Sequence, residues 1–274
     1  MCLLYIIIGD APKYKDKSRR LYFMTDYTIA NEYTLPSEGK IYGSTQVTPH
    51  VKLRSMTTAD EMKRLNHTDR PYKMMSEIID DCIVDDLGIS AYDMCLADYQ
   101  YLLHKLRVVT YGPMYKISST CPYCGSTNTD TINLDDLNVL PFNEAEFKKY
   151  SEFTLPSTKK QIKLRVQTPR ILDNITSRTK EHRRKHPEAS DPAFLFTLEA
   201  MIDLVDGERM EQFRMPEFLK SLPMMDTNYI IKASQKLNSL FGLDGKLTNL
   251  CGVCGLDYTS DFRTTSEFFG PSIE

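Results

Sequence analysis

Two short stretches of the sequence decide the fold, CPYCG at residues 121–125 and CGVCG at residues 251–255. In each stretch two residues separate the cysteines, so that one tight turn presents both sulfurs to a single ion. The glycine after each second cysteine adopts the open backbone that lets amides point back at the sulfurs. The sequence therefore predicts one structural Zn2+ ion with four thiolate ligands. The predicted ligands are Cys121, Cys124, Cys251 and Cys254.

The two cysteine pairs are unusually far apart, with 126 residues between them. Closing a flexible loop of that length costs about 4 kcal/mol plus a constant. Structural zinc sites have apparent binding free energies of roughly 10 to 16 kcal/mol, so zinc binding exceeds the closure cost. We expect the ion to clamp the two ends of a folded insertion.

Other interpretations of the cysteines are a redox or iron–sulfur site, a disulfide, or residues unrelated to one another. A thioredoxin-like motif would need one pair at a helix start within a βαβ unit, and neither pair has that context. A catalytic zinc is not expected because four thiolates leave no coordination position for water. Seven cysteines, an odd number, argue against a secreted disulfide framework and favour a reducing cytoplasm.

The composition is that of an ordinary globular protein. The 274 residues, 41% hydrophobic and 26% charged, are enough to bury a core in one or two domains. The formal net charge of -3 gives no overall attraction to nucleic acid. The apolar run at residues 3–8 is too short to cross a bilayer, and no lysine or arginine precedes it. We therefore predict neither a membrane span nor a signal peptide.

Hydrophobic periodicity predicts an α+β fold that is mainly helical, with short antiparallel strands and a zinc ribbon formed by the two distant C-x-x-C pairs. The helices are expected at about residues 58–65, 72–86, 90–107, 169–186, 193–205, 215–222 and 228–241. The strands are expected at about residues 47–54, 114–119, 129–134, 160–166 and 246–250. Thr58 and Glu61 have the spacing of a capping box for the first helix.

These elements suggest a division of the chain into segments. Residues 1–24 form an N-terminal extension, with Met24 as a hypothetical native start, and residues 25–113 form an N-terminal α+β domain. Residues 114–135 and 245–262 form the zinc ribbon, and the largely helical insertion at 136–244 lies between them. Residues 263–274 form a C-terminal tail.

One short motif occurs twice. LPS at residues 35–37 recurs at residues 155–157, and each copy precedes a strand ending in arginine, VKLR at 51–54 and IKLR at 162–165. A threonine, Thr57 or Thr168, follows each strand before a helix start. The match suggests duplication of a unit made of a β-hairpin and a helix.

No stretch of the sequence has the pattern of an active site. The sequence lacks a glycine-rich nucleotide loop, a G-x-S-x-G elbow and an H-E-x-x-H motif, and we therefore expect no enzymatic activity and no small-molecule substrate. The basic run 178–186, which includes His182 and His186, is interpreted as a solvated helix face, with a phosphate, nucleic acid or acidic protein contact as the alternative.

Several segments together resemble the baseplate proteins of T4-type contractile-tailed bacteriophages, a family with a baseplate hub subunit and a related hub assembly protein. The segments are residues 35–37, 51–57, 101–103 and 111–113 with the two cysteine pairs. The resemblance implies a non-enzymatic protein bound to other baseplate or tail proteins. It also implies a location in the virion tail, or in the host cytoplasm during assembly. The alternative is a zinc-ribbon module that binds nucleic acid or RNA polymerase, against which the net negative charge argues.

Overall fold

The structure, a computed structural model, describes residues 29–262 together with residues 268 and 269. The predicted extension at 1–24, the hypothetical start at Met24 and most of the predicted tail at 263–274 lie outside the described residues. Within them the chain forms eight α-helices and eleven short strands, and every strand pairing is antiparallel. The predicted α+β class with short antiparallel strands is confirmed.

The first part of the chain packs a hairpin onto three helices. Its elements are β1 (Ala30–Thr34), β2 (His50–Arg54), α1 (Thr58–Arg64), α2 (Pro71–Cys82) and α3 (Leu96–Tyr111). The alternation along β2 buries Val51 and Leu53 against α3. Leu102 and Leu106 of α3 are also fully buried, so α3 lies at the centre of this core.

The first helix begins one residue earlier than the predicted capping box implies. Thr57, not Thr58, is the cap, and its partner is Asp60 rather than Glu61. The Asp60 carboxylate accepts from the Thr57 amide at 2.8 Å and from Arg54 at 2.7 Å. The prediction of Glu61 was wrong because Asp60 also forms an ion pair with Arg54, the last residue of β2, which holds it at the helix start.

The predicted bounds of the next two helices, 72–86 and 90–107, differ from the observed bounds, Pro71–Cys82 and Leu96–Tyr111. The second helix ends at Cys82 because Ile83 turns extended and bridges to Leu53. The third begins at Leu96, where the Cys95 sulfur accepts from the third amide of the helix, and not at Ser90. The Ser90 hydroxyl instead donates to Asp80 at 2.6 Å.

The second part of the chain contains the remaining elements. In chain order they are β3 (Met114–Thr120), β4 (Thr127–Asn133), β5 (Val139–Leu140), α4 (Glu144–Ser151), β6 (Glu152–Thr154), β7 (Gln161–Leu164), α5 (Pro169–Lys185), α6 (Ala193–Met201), β8 (Ile202–Val205), α7 (Met215–Ser221), α8 (Met224–Asn238), β9 (Gly242–Leu243), β10 (Lys246–Leu250) and β11 (Asp257–Asp261). Strands β6, β7 and β8 form one sheet, and α6, α7 and α8 contribute to the second hydrophobic core with it. The domain boundaries inferred from the sequence stay a prediction.

The helix predicted over 193–205 ends at Met201, and its last four residues are strand β8. Ile162 of β7 pairs with Val205, and both side chains are buried in the second core. A buried apolar run fits a helix or a strand equally well by periodicity. The pairing with β7, which is distant in sequence, selects the strand.

The two copies of the repeated motif make equivalent contacts. Leu35 and Leu155 are both fully buried. The Ser37 amide donates to Asp98 Oδ1 at 3.0 Å, and the Ser157 amide donates to Asp226 Oδ1 at 2.8 Å. Asp98 and Asp226 are the third residues of α3 and α8. Each motif therefore docks on the first turn of a helix through the same hydrogen bond.

The equivalence extends well beyond the short sequence match. Aromatic residues two positions before each buried leucine contact tyrosines on the docked helices, Tyr33 with Tyr101 and Phe153 with Tyr229. Each helix leads to a glycine with positive φ, Gly112 or Gly242, nine positions before the first cysteine of a pair. These shared contacts support duplication of a unit that runs from the hairpin motif to the C-x-x-C turn.

The buried histidine of α3 makes folding stability depend on pH. His104 lies against Phe262 and Phe268, with ring centroids 5.1 and 5.0 Å away. Burial, with the Lys105 charge second, lowers its pKa from 6.5 to about 4. As the pH falls, the unfolded chain takes up a proton on this histidine before the folded chain does. The contribution of neutral His104 to the free energy of unfolding is therefore complete above pH 6.5 and is lost as the pH falls towards 4.

We expect His104→Leu to weaken this pH dependence. The pKa shift of His104 corresponds to about 3 kcal/mol of unfolding free energy. This is the difference between a pH at which His104 is neutral in both states and a pH at which it is protonated in both. Urea denaturation of the wild-type chain and the variant at several pH values in that window measures it. Equal slopes of unfolding free energy against pH for both chains would contradict the prediction.

Candidate metal centre

Each cysteine pair lies in the turn of a two-stranded hairpin. Strands β3 and β4 pair over seven positions, and β10 and β11 pair over five. In the first turn the Gly125 amide donates to the Cys121 carbonyl at 3.0 Å, and in the second the Gly255 amide donates to the Cys251 carbonyl at 2.9 Å. Both glycines have positive φ, 73° and 71°. The two turns therefore share one geometry, which only glycine adopts without strain.

The two turns bring the four predicted ligands together. Their Sγ atoms all lie within 4.8 Å of one another. Cys121 Sγ is 3.8 Å from Cys254 Sγ, and Cys124 Sγ is 3.6 Å from Cys251 Sγ. Sulfurs on a tetrahedron with metal–sulfur bonds of 2.3 Å would be about 3.8 Å apart. The four sulfurs are therefore spaced to hold one metal ion.

Polar side chains from β4 and the residues around it reach the sulfurs of the second turn. Ser126 Oγ lies 3.0 Å from Cys124 Sγ and 3.2 Å from Cys251 Sγ. The Asn128 side chain accepts from the Gly252 amide at 3.1 Å, and its amide group lies 3.7 Å from Cys251 Sγ. The contacts of Ser126 and Asn128 with Cys251 and Gly252 tie one hairpin to the other. They were not predicted, because the sequence spacing of Ser126 and Asn128 does not show which distant turn they face.

The surroundings favour the thiolate at two of the four cysteines. Hydrogen bonds from the Cys254 amide, the Ser126 hydroxyl and the Val253 amide lower the pKa of Cys251 to about 5. The side chain and amide of Ser126 also lower the pKa of Cys124. Ionised thiolates are the form that binds metal ions.

Cys254 behaves in the opposite way. The Leu256 amide lowers its pKa, but desolvation by the atoms around the sulfur and the other three thiols outweigh that effect and raise the pKa to about 12. Four adjacent thiolates repel one another unless a cation lies between them. A divalent cation bound between the sulfurs would remove this repulsion.

A small apolar cluster supports the centre from below. Cys121, Cys251 and Tyr258 are buried together and are separate from the two large cores. The Tyr258 hydroxyl contacts Ser119 Oγ at 2.6 Å and Asn128 Nδ2 at 3.2 Å. The outer thiols, Cys124 and Cys254, are exposed. The first cysteine of each pair is thus buried, and the second is exposed to solvent.

The remaining candidate ligands do not gather into a second centre. Cys82 and Cys95 are buried singly, and burial raises the pKa of the Cys82 thiol to about 12. The rings of His182 and His186 contact each other at an interplanar angle of 49°, with centroids 4.9 Å apart. In the described part of the chain, no group of three or more metal-ligating side chains forms apart from the four cysteines.

The basic run on α5 is largely neutralised by acidic neighbours. Four of its five lysines and arginines form ion pairs with nitrogen–oxygen distances between 2.5 and 2.9 Å. The pairs are Arg178 with Glu199, Lys180 with Asp69, Arg183 with Asp191 and Lys185 with Glu181. Most of the lysines and arginines on this face are therefore already paired and are not available to bind a polyanion such as nucleic acid.

None of the helices that the structure describes is long and apolar enough to cross a membrane. The fold and the site define an α+β protein in which two distant hairpins assemble a four-cysteine centre.

The sequence places this protein in a known family. Residues 27–270 match the family described as "T4 bacteriophage base plate protein", and the chain belongs to that family. The predicted resemblance to T4-type baseplate proteins is thereby confirmed, whereas the hub assignment stays a prediction. Comparison with curated proteins and with solved structures finds no match.

Proposed function

We propose that this chain is a non-enzymatic baseplate hub component or hub assembly factor that acts through protein–protein interfaces. The family match over residues 27–270 carries the proposal. Baseplate proteins work by binding one another, so the partners are other phage baseplate or tail proteins. The chain is made in the host cytoplasm and acts in the virion tail or on the way to it.

One structural Zn2+ ion, held by the four cysteines, stabilises the protein in this proposal. Sulfur–sulfur distances of 3.6 and 3.8 Å suit a single ion, whereas an iron–sulfur cluster places several atoms between its thiolates. Soft thiolate ligands in a tetrahedral arrangement favour zinc. Zinc with four thiolates has no open position, which supports a structural role rather than a catalytic one.

Nucleic acid binding is the less favoured alternative. The ion pairs along α5 neutralise most of the basic run. The formal net charge is -3, and phosphate contacts need clustered cations. A salt-sensitive shift of labelled DNA or RNA by the purified chain would support this alternative instead.

Deletion of the gene from the phage that encodes the chain tests the proposed function. We expect the deletion to block baseplate assembly and a plasmid copy to restore it. Mass spectrometry of purified virions then separates a hub component, which stays in the particle, from an assembly factor, which leaves it. Normal baseplates after deletion would overturn the proposal.

Metal analysis provides an independent prediction. The chain purified under reducing conditions should contain one zinc ion per polypeptide, because the described residues assemble a single four-thiolate centre. Inductively coupled plasma mass spectrometry measures the ratio, and a thiol reagent should release the zinc. Iron or no metal in the folded chain would contradict the prediction.

A further inference from the structure

We propose that the outer end of the two hairpins docks on another baseplate protein, through an apolar surface of that partner that also carries a lysine or arginine. We call this end the knuckle tip and define it as Pro122, Tyr123, Leu250, Val253 and Leu256. The inference rests on the proposed function and adds the surface and the chemistry of the partner.

The apolar side chains of the knuckle tip are unusually exposed. Tyr123 is 64% exposed, Leu250 65%, Val253 74% and Leu256 49%. Single exposed apolar residues are common on protein surfaces. Here, however, Tyr123 and Val253 lie within the two turns, and Leu250 and Leu256 lie on either side of the second. The cysteine sulfurs of the two turns are within 4.8 Å of one another. Clustered exposure of this kind marks an interaction site.

The knuckle tip also lacks charge. Residues 117–129 and 247–256 contain no aspartate, glutamate, lysine or arginine, although 26% of the whole chain is charged. The nearest basic residues along the strands, Lys116 and Lys246, each lie five positions before the first cysteine of a pair. The cores of protein interfaces are depleted of charged residues in the same way.

The hairpins hold the knuckle tip away from the main core. Tyr115, Ile132, Leu247 and Phe262, at the opposite ends of the strands, pack against the first core. A seven-residue strand such as β3 spans roughly 20 Å. Between these ends the described residues form only the small cluster of Cys121, Cys251 and Tyr258. The two hairpins thus present an apolar end away from the main core, where another protein can dock.

Charge complementarity selects the occupant. Four thiolates around one divalent ion carry net negative charge, and the knuckle tip has no cation to balance it. Two copies meeting tip to tip would bring two negative centres together, and a nucleic acid or an anionic lipid would be repelled likewise. A different protein with an apolar patch and a lysine or arginine satisfies both the exposed side chains and the thiolates.

The test uses the full chain in the gene-deleted phage, complemented from a plasmid. We expect the double variant Tyr123→Asp/Val253→Asp to keep its zinc and melting temperature while lowering the yield of infectious particles at least about tenfold. The matched control is Phe213→Asp/Leu65→Asp, whose apolar side chains are 74% and 69% exposed elsewhere. The control should give a near-normal yield. A normal yield from the knuckle-tip variant would overturn the inference.

A photo-crosslinking amino acid at position 123 in the otherwise unchanged chain provides a test that does not depend on the aspartate variants. Irradiation of assembling baseplates should join this position to a different phage protein, at a peptide with apolar residues and a lysine or arginine. Adducts only to a second copy, to nucleic acid or to lipid would overturn the inference. If the gene deletion itself leaves assembly intact, the proposed function fails; if only the knuckle-tip tests fail, that function stands.

Discussion

Cys121→Ser should lose the proposed zinc ion and unfold the cysteine-bearing ends of both hairpins. The remaining three thiolates cannot complete the tetrahedron, and isolated two-stranded hairpins are marginally stable in water. Among the described residues, the apolar cluster beneath the site contains Tyr258 and the inner cysteines. Since structural zinc contributes roughly 10 to 16 kcal/mol of apparent binding free energy, the melting temperature should fall sharply. Metal analysis and circular dichroism measure the two effects.

Cys82→Ala is the matched control. Cys82 is buried in α2 and lies outside the metal centre. This variant should keep a full complement of zinc and lose about 1 kcal/mol of stability, as an ordinary core substitution does. Cys254→Ser should behave like Cys121→Ser, although its thiol is exposed. A Cys121→Ser chain with full metal content and an unchanged melting temperature would show that the four sulfurs do not hold an ion.

The second large effect is expected from Asp98→Ala. The buried Asp98 carboxylate accepts hydrogen bonds from the Ser37 amide at 3.0 Å, the Ser37 hydroxyl at 2.5 Å and the Tyr42 hydroxyl at 2.6 Å. The variant leaves these donors without their acceptor at a site closed to water. Because each unsatisfied buried group costs about 1 to 3 kcal/mol, we expect a loss of about 4 kcal/mol. Urea denaturation measures the loss.

The equivalent residue of the second copy provides a parallel test. Burial alone would raise the pKa of Asp226, but hydrogen bonds from Ser157 and Thr158 outweigh it and lower the pKa. Asp226→Ala should therefore also lower the free energy of unfolding, as Asp98→Ala does. Asp93→Ala, which removes an exposed ion pair with Arg170, is the control and should change stability little. If Asp98→Ala is no worse than this control, the docking contact does not stabilise the fold.

Local chemistry explains what could be predicted from the sequence. The spacing of the cysteines and the glycines after them specifies the turn geometry of each pair. The amphipathic pattern of α2 likewise places Ile78, Ile79 and Cys82 in the core. These signals lie within a few residues of one another, so the sequence contains them directly.

The errors arise where distant residues decide the structure. Asp60, and not Glu61, closes the first capping box because Arg54 reaches it across the end of β2. Residues 202–205 become a strand because β7 offers them a partner. Asn128 reaches the second cysteine pair, 123 positions away in sequence, at 3.7 Å. Sequence periodicity carries no information about such pairings.

The duplicated unit has a consequence for how the metal centre depends on protein concentration. One copy supplies only two sulfurs, so a polypeptide with a single copy would have to share its ion with another molecule, and dilution would release the ion. Joining both copies in one polypeptide turns that encounter into an intramolecular step with a high effective concentration. Occupancy of the centre would then depend on the concentration of free metal and not on the concentration of the chain.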